Sequence, residues 1–270
     1  MTLAAGHYVR SLPFPCAMVH HMKCILKTLA AFCAAAAFST SADASIVIGG
    51  TRVVYNEGAR EVSVQLDNNG DLPSLVQSWI DAGNLDSSPE DSDAPFVLTP
   101  PIARVNAHSG QALRIAFTGA TQPLPHDHES VFWLNVLDIP PEPTAAPGSN
   151  KNFIQLAFRS RIKLFYRPKG LPGTANDAPD ALQWKQGRTD KGALAIVASN
   201  PTPYHVSMIA VNAVYGQKST DLAPQGYMLA PGEQHAFELP KDSGIAPSSV
   251  NFSAINDFGG HIQRTKPIAQ

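Results

Sequence analysis

Two stretches of this 270-residue chain carry side chains that could do chemistry. The first is "HDHE", His126 to Glu129, in which two imidazoles two residues apart sit beside two carboxylates. On a strand that spacing puts both rings on one face, where they could bind a metal ion. The stretch follows "TQPLP" and precedes an apolar run, so it reads as a loop, and no metal site is expected. The second is "QLAFRSRIKLFYRP", residues 155–168, where Lys163 stands in the most apolar part. A lysine there must reach water, pair with an anion, or await a partner that brings one. Serine, histidine and aspartate are all present, but without a "GxSxG" elbow or a glycine-rich phosphate loop they give no reason to expect an enzyme.

The elements that must position these residues read as strands. "SIVIGGTRVVYN" (45–56) is β-branched and broken by Gly49-Gly50, and "EVSVQLDN" (61–68) alternates with Val62, Val64 and Leu66 on one side. "SLVQSWIDA", "FVLTPP", "ALRIAFTG" and "SVFWLNVLDIPP" follow, and then the strand that holds Lys163. In that last strand Ile154, Leu156 and Phe158 share one face, and Gln155, Arg159 and Arg161 the other. Short strands spaced this evenly, with turn residues between them, predict an immunoglobulin-like β-sandwich rather than βαβ units. "PKGLPGTANDAP" reads as a linker. Beyond it "ALQWKQ", "GALAIVASN", "YHVSMIAVNAV", "HAFELP" and "SSVNFSAIND" predict a second, smaller sandwich, with "DAPDAL" (177–182) as at most one helical turn.

The first 44 residues read as something else. From Met22 the chain has a basic start (Lys23, Lys27), an apolar run from Leu29 to Phe38, and Ala42-Asp43-Ala44, the layout of a cleaved signal peptide. The working chain is therefore expected to begin at Ser45, with domains at 45–167 and 168–270. Cys16, Cys24 and Cys33 all precede it, which removes disulfides, thiolate metal sites and a cysteine nucleophile from the account. Losing Arg10, Lys23, Lys27 and Asp43 takes the formal net charge from −2 to −4, which does not suit nucleic acid. No later apolar run is long enough to span a membrane.

The motifs "TRVVYN", "LVQSWID", "TPPIARV", "HESVFWLNVLDIPP", "QLAFRSRIKLFYRP", "NPTPYHVS" and "INDFGG" occur in that order. In them the chain resembles the periplasmic chaperones of the chaperone–usher pathway, which assemble pili. The resemblance implies an all-β fold of two immunoglobulin-like sandwiches in an L or boomerang arrangement. It implies periplasmic localisation, pilin or fimbrial subunits and an outer-membrane usher as partners, and no cofactor, ATP or membrane insertion.

It also implies roles for particular residues. Residues 152–166 become an edge strand lent to a subunit that lacks one, with Ile154, Leu156 and Phe158 filling its groove. Arg52 and Lys163 become the anchor for the subunit's C-terminal carboxylate. Glu129, Arg167 and Asp257 become a structural charge cluster between the domains. On the residues alone, Lys163 reads as a snorkelling lysine, Arg52 as a solvated arginine, and the three apolar residues could as well face the chain's own core. Lys163 has the opposite parity to Ile154, Leu156 and Phe158, which implies a bulge or a strong twist near Ser160–Arg161. The short loop "EPTAAPGSN" (142–150) resembles the subgroup that serves rod-like pili. The rival reading is a secreted two-domain adhesin or a fibre subunit. Departures from the family are the missing second-domain disulfide and the short end "HIQRTKPIAQ", whose pairing is left open.

Overall fold

The computed structural model describes residues 45–119, 123–142, 154–240 and 246–269. Two apolar cores form, each between a pair of sheets. The first is built from β1 (Ile46–Ile48), β2 (Arg52–Asn56), β3 (Val62–Asn68), β4 (Ser74–Asp81), β5 (Phe96–Thr99), β6 (Ile102–Val105), β7 (Gly110–Phe117), β8 (Ser130–Ile139) and β9 (Phe158–Arg167). One sheet runs β1-β3-β7-β5 and the facing sheet β2-β9-β8-β4-β6. Alternate residues such as Leu66, Leu113, Ile115, Leu134 and Leu164 meet between them, all fully buried.

The opening run "SIVIGGTRVVYN" is two strands in different sheets. Gly49 and Gly50 make the crossing. Gly49 donates its N–H to Gln65 O at 2.7 Å, and a Cβ there would lie 3.2 Å from that oxygen. The chain then joins β9 as β2, in parallel, from Arg52↔Lys163 to Asn56↔Arg167.

The second core lies among β10 (Gln183–Arg188), β11 (Leu194–Ser199), β12 (Val206–Tyr215), β13 (Lys218–Asp221), β14 (Tyr227–Leu229), β15 (Gln234–Glu238), β16 (Ser249–Ile255) and β17 (His261–Pro267). Trp184, Ile196, Val211, Phe237 and Phe252 are central to it. The pairing left open at the C-terminus resolves here, because β17 pairs with β16 over seven consecutive positions. A one-turn helix α1 (Ala178–Ala181) stands where "DAPDAL" allowed one. No helix among the described residues is long and apolar enough to cross a membrane.

Three expectations for the key strand need correction. β9 begins at Phe158, not 152; residues 154–157 precede it outside the ladder, and 152–153 lie outside the described residues. The cause is in β8, where Ile139 is followed by Pro140 and Pro141, which have no N–H to continue the pairing. Secondly, β9 is an edge strand only over its first half, because β2 covers it from Lys163 onward. Thirdly, the bulge is absent: the β8–β9 register runs unbroken from Asp138↔Phe158 to Ser130↔Tyr166.

Candidate functional site

Where β2 ends its cover of β9, two cations meet. Arg52 and Lys163 are direct register partners. Arg52 donates from Nη1 to Ile255 O at 2.9 Å and lies 5.8 Å from the centre of the Phe165 ring, while its buried Nε has no partner among the described residues. Lys163 donates from Nζ to the hydroxyl of buried Ser207 at 2.9 Å. Neither cation forms an ion pair with a carboxylate of the described residues.

Both therefore carry charge at a cost. Burial pulls the Arg52 guanidinium below its ordinary range, although Asp257 and Glu129 partly restore it. Burial first, and the Arg52 charge second, bring Lys163 down to about 8. A half-buried guanidinium beside a half-buried ammonium, both with donors to spare, has the chemistry to hold a small anion. A carboxylate fits it, since the planar fork and the point charge can serve one oxygen each.

Next to this pair β9 lies open. Leu164 and Tyr166 belong to the first core and Ile162 packs against it, so the even face of β9 is the core face. Phe158 continues that face beyond the end of the sandwich and is 62% exposed. Ile154 and Leu156, ahead of it in the same parity, are 88% and 59% exposed. These side chains do not enter the protein's own core. Lys163 looks the other way, towards Ser207, so the opposite parities need no bulge.

The third set also comes together. Arg167 at the end of β9 donates from Nε to Glu129 Oε1 at 2.7 Å, and from Nη1 and Nη2 to the two oxygens of Asp257 at 2.7 and 2.9 Å. Its side chain lies 5.4 Å from the Tyr204 ring. Burial opposes the charge on Arg167, but the bonds from Asp257 and Glu129 outweigh it and hold the group above its ordinary range. No local pattern singles out His205, whose backbone N–H donates to Glu129 Oε2 at 2.9 Å. Because the Glu129 side chain is buried, Arg167→Ala would leave a carboxylate without its charge partner. We expect that change to cost about 3–5 kcal/mol of stability, read as a lowered urea midpoint.

The "HDHE" stretch does not converge. His126 lies 3.9 Å from Glu57, His128 bonds Asp127, and Glu129 is taken by Arg167. Among the described residues no group of metal ligands is assembled.

Residues 45–172 match the family described as "Pili and flagellar-assembly chaperone, PapD N-terminal domain", and residues 177–266 match "Pili assembly chaperone PapD, C-terminal domain". The chain belongs to the PapD family of pilus-assembly chaperones. The probable fimbrial chaperone YadV of Escherichia coli is 43% identical over 237 residues, covering 87% of this chain and 95% of that protein. The chaperone protein FimB/FhaD of Bordetella pertussis is 44% identical over 231 residues, or 83% and 88%. Among solved structures, the YadV chaperone superposes with a TM-score of 0.69 at 40% identity over 83% of this chain and 100% of that one. The structure of the Salmonella enterica SafA pilin in complex with the SafB chaperone matches with a TM-score of 0.67 at 27% identity, covering 84% and 98%. The YadV and FimB/FhaD relatives match across most of their length and bear the names of chaperones.

Proposed function

We propose that this chaperone captures a fibre subunit by adding the open half of β9 to the subunit's incomplete sandwich, with the subunit's C-terminal carboxylate held by Arg52 and Lys163. Donor-strand complementation by such chaperones is an established form of β-strand addition, and the SafA–SafB pair is a pilin held by a chaperone. The observation that carries the reading is the position of the cation pair at the start of β2. A client strand laid parallel along the open edge would occupy the line that β2 continues, and would end at the two cations.

Main-chain bonds along residues 158–162 supply general affinity, and Ile154, Leu156 and Phe158 supply the apolar contacts. Each large side chain buried contributes roughly 1.5–3 kcal/mol. The carboxylate fixes register, because a slip of one residue turns the anchors out of the groove. No cofactor, ATP or catalytic residue enters this scheme. Glu129, Arg167 and Asp257 set the angle between the sandwiches of 45–167 and 168–270. The segment from Met22 to Ala44 directs export to the periplasm, where the subunit is passed to an outer-membrane usher. The test is co-purification from a periplasm with a fibre subunit, followed by hydrogen exchange. Residues 154–162 are expected to gain protection in the complex, and protection gained only elsewhere would refute the reading.

The low pKa of Lys163 gives a pH signature. A bound carboxylate restores the charged ammonium, so above pH 8 binding takes up a proton. Affinity is expected to be level below about pH 8 and to fall by up to about tenfold per pH unit above it. Lys163→Met should abolish that slope in titrations of binding against pH. The free protein moves the other way. Between about 8 and 10.5 the unfolded lysine keeps a proton that the folded one has lost, so this group makes stability rise with pH.

A further inference from the structure

Among the described residues, the strand at 158–162 has a neighbour on one side only, and such an edge ordinarily frays. The face of β9 opposite the apolar anchors shows what holds it. The Arg159 guanidinium lies 4.8 Å from the Trp79 ring, and donates to Asn135 Oδ1 at 3.0 Å from Nε and at 2.7 Å from Nη2. Its Nη1 donates to Leu85 O at 2.8 Å. The Arg161 guanidinium lies 4.6 Å from the Trp133 ring and grips Asp81 with two bonds, of 3.1 and 2.5 Å.

Asp81 and Asn135 are fully buried, and they join the Arg159–Trp79 and Arg161–Trp133 pairs. Asn135 accepts from Arg159 through Oδ1 and donates through Nδ2 to Asp81 at 2.7 Å. Asp81 also accepts the N–H of Gly83 at 2.7 Å. Burial opposes its charge, but the bonds from Arg161, Asn135 and Gly83 hold the carboxyl below its ordinary range. Trp79 and Asp81, Trp133 and Asn135, and Arg159 and Arg161, on three adjacent strands, thus form one network.

We propose that Arg159 and Arg161 are positioning residues for subunit capture, whose stacking on Trp79 and Trp133 and bonding through Asn135 and Asp81 hold the open half of β9 extended before a client arrives. This rests on the reading that the client strand adds there. A frayed segment must lose its conformational freedom at the moment of binding, and a strand already held straight has lost it beforehand. Arginine suits the task, because a planar fork that is stacked and doubly bonded fixes where its own backbone lies.

The test uses Arg161→Ala, Arg161→Lys and Arg159→Ala in the full chain, with a fibre subunit that co-purifies with the wild-type protein as probe. In the free protein, Arg161→Ala is expected to speed exchange of the 158–162 amides that bond β8 by at least about tenfold. Trp133 fluorescence should change, and exchange in the second sandwich should stay as in wild type. The capture rate should fall at least about fivefold, with Arg161→Lys in between. If Arg161→Ala does not fold, Arg159→Ala removes half the network while Arg161 still neutralises Asp81, and the same two readouts apply. Wild-type exchange at 158–162 in the variants overturns the positioning role, and so does faster exchange with an unchanged capture rate. A wild-type protein that captures no subunit overturns the strand-addition reading instead, while the exchange result still decides whether the network holds the strand.

Discussion

Lys163→Ala is expected to cost about 2–5 kcal/mol of client affinity, the range for truncating one partner of a buried charged pair. That is a loss of roughly thirty- to several-thousandfold. The free chaperone should remain folded, since Lys163 makes one hydrogen bond, to Ser207, and no ion pair with the described residues. Removing a desolvated cation relieves a cost that the folded state carries at neutral pH, so Lys163→Met should unfold at the wild-type urea midpoint or above it. A structural lysine would behave in the reverse way, with stability lost first and client binding lost in consequence. Pull-down of a co-expressed subunit, beside urea unfolding of the free variant, separates the two. Equal subunit recovery from wild type and variant would count decisively against the anchor.

The second large effect concerns the apolar anchors. Leu156→Asp combined with Phe158→Asp removes two side chains expected to bury against the client, worth roughly 1.5–3 kcal/mol each. It also forces two charges towards an apolar groove. Capture should fall below detection. Both side chains are exposed in the free protein and outside its core, so the unfolding midpoint should shift little, within about 0.5 kcal/mol. If the variant unfolds early, these residues belong to the chaperone's own packing. If it captures subunits normally, the client lies elsewhere.

How much of this could be read from the sequence differs between elements. β3 and β8 were plain in the alternation of "EVSVQLDN" and the apolar run of "SVFWLNVLDI", because one face of each meets a core. β6 stands behind Pro100-Pro101, β13 is four polar residues, and β14 is only three residues long, so none of them shows a period. The parallel pairing of β2 with β9 joins segments far apart in the chain, which no local pattern records. That omission made β9 look like an edge along its whole length. It also hid why Arg52 and Lys163 are neighbours, which rested on resemblance alone. A bulge near Ser160–Arg161 is needed only if anchors and cation face one way; Phe158 and Lys163 lie on opposite sides of a regular strand. The loop of 142–150, from 143 onward, lies outside the described residues.

A double-mutant cycle asks whether Lys163 and the client's terminal carboxylate meet. Wild type and Lys163→Ala are each titrated with a peptide of the subunit's last strand, once with a free C-terminal carboxylate and once as the amide. If cation and carboxylate meet, amidation weakens wild-type binding strongly and hardly affects the variant, giving a coupling of about 1.5 kcal/mol or more. Equal losses on amidation in both proteins would place the carboxylate away from Lys163 and contradict the account.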